Sequence, residues 1–236
     1  MSEIRIVVVD DHPLFRQGVV DAMAFEKDII VDGEADNGDD ALNIIRDLKP
    51  HVAIVDVNLP KMNGLLLTRK IIAEKWPTKI VLLTAYDDLE QVIHAMRSGA
   101  SAYRAKRVQP EELVRTIRLA AKGKYIVGDD ILEKDELNRW LQSRIDLATK
   151  SYSDPGEPFH PLSNREMEVL SKLTSGSSNK EIAQDLGISH QTVKNHVTSI
   201  LRKLGVDDRT QAAVYALRRG WFRLHDQNPS TNDGEE

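Results

Sequence analysis

The chain has 236 residues, of which 41% are hydrophobic and 29% charged, which is typical of globular proteins with apolar material for one large or two modest domains. It contains no cysteine, which excludes a disulfide scaffold, a cysteine-ligated zinc site and a thiol nucleophile. Its net charge of −5 argues against a uniformly basic nucleic-acid binder. The opening residues, MSEIRIVVVDDHP, hold only a short apolar run broken by acids. They predict neither a signal peptide nor a membrane span, and we expect a cytoplasmic protein with no membrane partner.

Residues 1–122 alternate short apolar runs with helical patterns. Near-continuous apolar runs, typical of strands buried on both faces of a parallel sheet, occupy Ile4–Val9, Val52–Val55 and Ile80–Leu83, with weaker candidates at Ile29–Asp32 and Ala102–Ala105. Helical patterns lie between and after them, at Pro13–Phe25, Asp39–Leu48, Leu65–Lys75, Leu89–Ser98 and Pro110–Lys122. This fivefold alternation predicts an α/β domain with a doubly wound, parallel, five-stranded sheet. Its functional crevice should lie at the carboxyl ends of the strands.

Polar side chains follow several of these strands. Asp10 and Asp11 come after the first strand, Asp56 ends the third, Thr84 ends the fourth and Lys106 follows the fifth. Three carboxylates in one pocket repel one another, and an all-oxygen cluster suits Mg²⁺ with open positions for a phosphate. A hydroxyl and an ammonium nearby suit the oxygens of an aspartyl phosphate. Each residue alone could instead be a helix cap or an ordinary strand end, but five in this order favour a phosphate site.

Residues 123–160 predict a linker that contains an amphipathic helix. From Asp129 to Lys150 we expect one long helix, with an apolar stripe formed by Leu137, Trp140, Leu141, Ile145 and Ala148. The stripe should pack either on a domain of the same chain or against a second subunit. The stretch Ser151–Pro161 is rich in Pro and Gly and predicts a linker, and the acidic tail, residues 225–236, predicts disorder.

Residues 161–224 predict an all-helical domain with helices at Asn164–Thr174, Lys180–Leu186, Gln191–Leu204 and Thr210–Arg219. This segment carries ten basic and six acidic residues, so it is basic within an acidic chain. Gly187 and Ser189 separate the second and third patterns, as in a helix-turn-helix. The polar face of the third helix suits base edges and phosphates, and consists of Gln191, Thr192, Lys194, Asn195 and Thr198. The alternative is a small helical interaction module whose lysine face is merely solvated.

The front half resembles the receiver domain of two-component response regulators over residues 1–122. The matching segments are VVVDDHP (Val7–Pro13), DVNLPKMNG (Asp56–Gly64), LLTA (Leu82–Ala85) and YRAK (Tyr103–Lys106). The resemblance implies that Asp56 is the phosphoacceptor, and that Thr84 and Lys106 contact the phosphoryl group. It further implies Tyr103 as the aromatic switch partner of Thr84. Mg²⁺ would be bound by Asp11, Asp56 and the backbone carbonyl of Asn58, with Asp10 holding the water shell of the metal. Arg107 stands where many receivers have Pro.

The back half resembles the LuxR-type DNA-binding domain. The match runs through LSNREMEVL (Leu162–Leu170), SNKEIAQDLGISHQTVKNHVTSILRKLGV (Ser178–Val206) and RTQAAVYA (Arg209–Ala216). By this similarity the third helix of the domain enters the major groove and the fourth supports dimerisation. Lys194 and Asn195 then face bases, and Thr192, Thr198 and Lys203 lie nearer the DNA backbone. Glu166 matches a buried acidic position of the family.

Together the two resemblances place the chain in the NarL/FixJ class. They imply a transcription regulator, not an enzyme, that is phosphorylated by a sensor histidine kinase and binds promoter DNA as a homodimer. Two other classes remain as alternatives. A constitutive DNA binder with a degenerate receiver is disfavoured by the intact set of acids, Thr84 and Lys106. A phosphotransferase of the haloacid dehalogenase kind would need a second acid where this chain has Asn58.

Overall fold

The computed structural model describes residues 3–85, 89–151, 162–219 and 221–222. The strands are β1 (Ile4–Val9), β2 (Ile29–Ala35), β3 (Val52–Asp56), β4 (Lys79–Thr84), β5 (Ala102–Ala105), β6 (Tyr125–Val127) and β7 (Asp130–Leu132). The helices are α1 (Pro13–Ala24), α2 (Gly38–Leu48), α3 (Gly64–Ala73), α4 (Leu89–Arg97), α5 (Pro110–Ala121), α6 (Lys134–Ser151), α7 (Asn164–Thr174), α8 (Asn179–Asp185), α9 (His190–Leu204) and α10 (Arg209–Arg218).

The strands form one sheet in the order β2-β1-β3-β4-β5-β6-β7, parallel except for the last pair. Both faces are covered, which explains the continuous apolar runs of the central strands. Ile6 and Val8 of β1 pack in the core beneath α1 and α5. Val7 and Val9 point to the opposite face, into the core shared with α2, α3 and α4. The predicted doubly wound α/β fold is therefore confirmed.

The predicted number of strands was too low by two. After α5 the chain forms a hairpin of β6 and β7 that extends the sheet beyond residue 122, and helix α6 begins at Lys134 rather than at Asp129. Val127 pairs with Asp130, so the loop consists of Gly128 and Asp129. Gly128 has φ +58, which suits the first position of a type II′ hairpin turn. Both strands have three residues, too short for a recognisable alternation, so only this Gly-Asp turn marked them in the sequence.

The first half of α6 packs on the N-terminal domain. Leu137 is buried, and Trp140 and Leu141 are partly buried against the same core that holds α4. The side chains of Ile145 and Ala148, the rest of the predicted stripe, lie outside the described residues. The first part of the stripe therefore packs on a domain of the same chain, which is one of the two expected arrangements.

The C-terminal domain consists of α7–α10, with α7 packed on α9 and α10. Each helix begins at a side chain that caps it: Ser163, Ser178, Ser189 and Asp208 accept hydrogen bonds from backbone N–H groups of the first turns. Of the predicted linker Ser151–Pro161, Ser151 is the last residue of α6, and residues 152–161 lie outside the described residues, as does the predicted tail, 225–236. Within the described ranges, no helix combines the length and the apolar character that crossing a membrane requires.

Candidate functional site

The acidic residues meet at the carboxyl ends of β1 and β3, which are neighbours in the sheet. Asp10 follows β1 and Asp56 is the last residue of β3, and both are about 99% buried. Ligand atoms of Asp10, Asp11, His12 and Asp56 all lie within 4.8 Å of one another. His12 is the N-cap residue of α1 and is half exposed, with Nδ1 2.8 Å from Oδ1 of Asp11.

Lys106 reaches into this cluster from the end of β5, two strands away from Asp56. Its Nζ lies 2.9 Å from Oδ2 of Asp56 and 2.6 Å from Oδ2 of Asp10. The same ammonium lies 4.8 Å from the centroid of the Phe15 ring, a cation–π contact. The structure thus brings the predicted acids and the predicted lysine together around one space.

Three carboxylates meet in this cluster beside the ammonium of Lys106. Burial raises the pKa of Asp56, and the neighbouring carboxylate of Asp10 raises it further, while Lys106 opposes both effects. The buried carboxylates of Asp10 and Asp56 share the ammonium of Lys106, and the partly exposed Asp11 lies beside them. A hard cation with oxygen ligands would offset this excess negative charge. The donor set therefore fits a divalent cation such as Mg²⁺.

The loop after β3 is held tightly against the acceptor strand. The backbone N–H of Asn58 donates to Oδ1 of Asp56 at 3.2 Å, and Gly64 N–H donates to the carbonyl of Val57 at 2.9 Å. A Cβ on Gly64 would lie 2.3 Å from the carbonyl oxygen of Asp56, closer than any side chain tolerates. Asn63 caps α3 by accepting from the N–H of Leu66. The glycine in the Asn63-Gly64 motif is therefore required by the close approach of two backbone segments.

Thr84 and Tyr103 occupy the two strands beyond Asp56. Asp56 pairs with Leu83 across β3 and β4, so the fully buried Thr84 lies at the same edge of the sheet. Tyr103 is buried on β5, and its hydroxyl donates to Oε1 of Gln91 on α4 at 2.6 Å. The aromatic residue therefore links strand β5 to helix α4.

Helices α8 and α9 form a helix-turn-helix. Gly187, with φ +62, lies in the turn between them, and Ser189 caps α9 by accepting from the N–H of Thr192 at 3.0 Å. Val193 and Ile200 are buried and fix one face of α9 in the domain core. The predicted geometry of the two helices is present.

The opposite face of α9 is polar and open. Gln191, Lys194, Asn195 and Thr198 are exposed and Thr192 is partly buried. Gln191 donates to Oδ1 of Asn195 at 3.1 Å, and Thr198 donates to the carbonyl of Lys194 at 3.0 Å. These side chains form one continuous surface of amide, hydroxyl and ammonium groups, the types that read base edges and phosphates.

Lys203 lies apart from this surface. Its Nζ is 2.7 Å from Oε2 of Glu166, a buried acid that also accepts from Ser199 at 2.6 Å and closes a capping box with Ser163. Burial opposes ionisation of Glu166, but the hydrogen bonds from Lys203, Ser199 and Ser163 outweigh it and lower its pKa to about 2. The structure thus gives Lys203 a partner inside the domain.

Two residues of the site were not predicted from the sequence. Phe15, one turn into α1, flanks Lys106, and Gln91 binds the hydroxyl of Tyr103. Phe15 could have been suspected from its place directly after the acidic motif. Gln91 carries no local signal, because a polar residue on an amphipathic helix is ordinarily solvated.

Comparisons with known proteins give a separate family match for each half of the chain. Residues 6–118 match the family model described as a response regulator receiver domain, and residues 160–216 match the bacterial regulatory proteins of the luxR family. The chain is 35% identical to the transcriptional regulatory protein DegU of Brevibacillus brevis over 229 residues, covering 94% of this chain and 97% of that protein. The receiver domain of NarL from Mycobacterium tuberculosis is similar in structure, with 36% identity, a TM-score of 0.51 and coverage of 52% of this chain and 99% of that one. RcsB from Salmonella enterica serovar Typhimurium, bound to promoter rprA, gives a TM-score of 0.67 at 22% identity, covering 91% and 98% of the two chains, and supports the fold alone.

Proposed function

Since the chain belongs to the NarL/FixJ class of response regulators, transcription regulators that join a receiver domain to a LuxR-type DNA-binding domain, we propose that phosphorylation of Asp56 controls its binding to promoter DNA. The observation that carries this proposal is the buried carboxylate of Asp56, with Lys106 at 2.9 Å and the acids Asp10 and Asp11 beside it. The phosphodonor is a sensor histidine kinase. The reaction and the DNA both place the protein in the cytoplasm.

In the transfer, a carboxylate oxygen of Asp56 attacks the phosphorus of a phosphohistidine. The new O–P bond forms as the P–N bond breaks, and the electron pair returns to the imidazole of the kinase. Lys106 keeps its ammonium next to the oxygens that carry the developing charge. Asp11, Asp56 and the carbonyl of Asn58 would hold Mg²⁺, and Asp10 would orient its water. The cation would supply further positive charge to the phosphoryl oxygens.

Thr84 and Tyr103 report the phosphoryl group to the rest of the receiver. The hydroxyl of Thr84 is a donor at the strand end next to Asp56, so a phosphoryl oxygen can attract it. Its movement opens space beside β5 for the ring of Tyr103. The receiver thereby exchanges two arrangements of one set of buried side chains, and phosphorylation shifts the balance between them.

DNA is bound by the exposed face of α9, which lies in the major groove. Lys194 and Asn195 contact base edges, while Gln191, Thr192 and Thr198 add contacts at the rim of that face. Lys203 has a structural role because its ammonium pairs with the buried Glu166. Two copies bind as a homodimer on two half-sites, with α10 at the subunit contact.

The proposal is tested by phosphorylation with acetyl phosphate and Mg²⁺, followed on Phos-tag gels. The wild-type protein should be retarded, and Asp56→Ala should not. Asp47→Ala is the matched control, because Asp47 is an exposed acid near the end of α2 that lies outside the acidic cluster and pairs with Arg46. This variant should be retarded like the wild type. Retardation of Asp56→Ala to the same extent as the wild type would refute Asp56 as the acceptor. If no protein is retarded while DNA binding is intact, a constitutive DNA binder is favoured instead.

A further inference from the structure

The C-terminal domain is docked on helices of the receiver through the residues that follow α10. Trp221 and Phe222 are both buried, and Trp221 lies edge-on against His94 of α4, with ring centroids 5.5 Å apart. On its other side Trp221 meets Tyr215 of its own domain at 5.6 Å. His94 is 4% exposed, although it lies on a surface helix. The indole thus joins one helix from each domain.

Gln91, one turn before His94, is hydrogen-bonded to both domains. Its Oε1 accepts from the hydroxyl of Tyr103 at 2.6 Å, and its Nε2 donates to the backbone carbonyl of Arg219 at 2.5 Å. The side chain is buried, so each of these bonds replaces water that the amide has lost. A single amide therefore connects the buried aromatic residue of β5 with the end of the DNA-binding domain, 128 residues further along the chain.

A further polar contact crosses between the two domains. Arg69 of α3 lies 3.7 Å from Glu168 of α7 and also donates to the hydroxyl of Ser98 at 3.4 Å. The loop after β3, which carries Asp56 at its start, lines a small cleft whose opposite wall is formed by the end of α7 and by Phe222. The docked surface is therefore next to two parts of the receiver that phosphorylation would disturb: the loop after Asp56 and the Tyr103–Gln91 pair.

Docking leaves the DNA-reading face free. Gln191, Lys194, Asn195 and Thr198 are exposed while Gln91 and His94 are buried in the contact. The contact therefore does not hide α9 from DNA. It fixes the position of the whole domain relative to the receiver, and two half-sites on DNA require a defined position of each domain.

We propose that Gln91 is the residue through which the phosphorylation state of Asp56 sets the position of the DNA-binding domain. This inference rests on the proposed function of Asp56. While Lys106 pairs with the Asp56 carboxylate, Tyr103 holds Oε1 of Gln91, and the same amide holds the carbonyl of Arg219. A phosphoryl group that draws Thr84 moves Tyr103, and its hydroxyl leaves Gln91. A buried amide that has lost one partner reorients, so the bond to Arg219 is lost and the domain is released. Linkage requires the reverse as well: loss of docking favours phosphorylation.

The experiment uses the full-length protein labelled with 5-fluorotryptophan and observed by ¹⁹F NMR. The chain has three tryptophans, Trp76, Trp140 and Trp221, and a Trp221→Phe sample identifies the resonance of Trp221. In the wild type, acetyl phosphate with Mg²⁺ should move this resonance toward the position of a solvent-exposed indole. Gln91→Met, which keeps the shape and removes both hydrogen bonds, should show the released position without any phosphodonor. Gln109→Met, the same substitution at an exposed position before α5, should behave like the wild type.

Tyr103→Phe removes the hydroxyl that Gln91 loses on phosphorylation and leaves the rest of the ring in place. By the proposal the amide then reorients, so the Trp221 resonance should show the released position with and without the phosphodonor, and a docked position in this variant would contradict the role of Tyr103. Phos-tag gels of the same samples show whether each protein folds and is phosphorylated. A Gln91→Met protein that keeps both the wild-type resonance and its response overturns the inference. Failure of the wild type to be phosphorylated refutes the proposed acceptor, and the comparison without phosphodonor still decides whether Gln91 holds the domain.

Discussion

Acid should release the DNA-binding domain from the receiver, because docking buries a neutral histidine. Burial lowers the pKa of His94 most, and the positive charges of Arg97, Arg69 and Lys203 add to this effect against the opposing effect of Glu166. Together they lower its pKa from 6.5 to about 3. In the docked form His94 is therefore neutral at pH 5.5. Glu166, whose pKa is lowered to about 2, stays ionised there and does not contribute to the change.

The magnitude follows from the two pKa values. In the released form His94 contacts solvent and its pKa returns toward 6.5, so it binds a proton as the pH falls through that value. The docked form has its full stability well above pH 6.5 and loses stability as the pH falls through this value. If the pKa of His94 returns fully to 6.5 on release, the docking equilibrium at pH 5.5 is weakened by a factor of about ten, or about 1.4 kcal/mol. At pH 7.5 the loss is only about 0.1 kcal/mol. Arg97 and Arg69 remain beside His94 after release, so tenfold is the upper limit.

The assay is the Trp221 ¹⁹F resonance of the full-length protein without phosphodonor, followed from pH 7.5 to pH 5.5. We expect the released fraction to rise up to tenfold in the wild type. His94→Phe keeps a ring against Trp221 but cannot bind a proton, so its released fraction should not depend on pH over this range. An equal pH response in His94→Phe and in the wild type would show that another group titrates and that the reasoning is wrong.

Three further predictions concern single positions elsewhere. Lys194→Ala should weaken specific promoter binding by about 1–3 kcal/mol in gel-shift titrations, the usual scale for one base-contacting side chain; unchanged affinity would refute the assignment of the α9 face. Gly64→Ala should lower the free energy of unfolding by about 1–3 kcal/mol in urea titrations, since its Cβ overlaps the Asp56 carbonyl, whereas Gly18→Ala on open α1 should not destabilise. Trp140→Glu should destabilise the receiver by about 1 kcal/mol or more, because a charge enters a partly buried contact, and the exposed neighbour Asn138→Glu should be neutral; equal stability of the two variants would contradict packing of α6 on the receiver.

The central part of the fold and the acidic crevice could be predicted because both depend on local, repeated features. Strands buried on both faces leave continuous apolar runs, and β1, β3 and β4 appeared at nearly the predicted positions. Since parallel strands end at one edge of a sheet, residue types at strand ends become neighbours without any knowledge of packing. Asp10, Asp56 and Lys106 met for this reason, although Lys106 lies 50 residues from Asp56 in the chain.

Features with weak local signals were missed or misplaced. The hairpin of β6 and β7 is too short for periodicity, and its strands depend on the free edge of β5 for pairing. The resemblance to the LuxR-type domain places Lys203 near the DNA backbone, and this stays a prediction. Its ion pair with Glu166 had no local signal, because Glu166 lies 37 residues earlier in the chain and only the packing of α7 on α9 brings the two together.

The contact between the domains lies furthest from what a sequence can predict. It is made by side chains whose types suit solvent equally well: an amide, an imidazole and a guanidinium on the outer faces of α3 and α4. Each domain can fold around its own core without them, so no pattern within either domain requires Gln91 or His94. Their burial is decided only when the two surfaces meet. The chemistry of Asp56 is thus constrained by the topology of the sheet, while the response of the DNA-binding domain depends on a few polar residues that can change without loss of either fold. We expect related regulators to keep the acids and Lys106 while differing at the positions of Gln91 and Trp221.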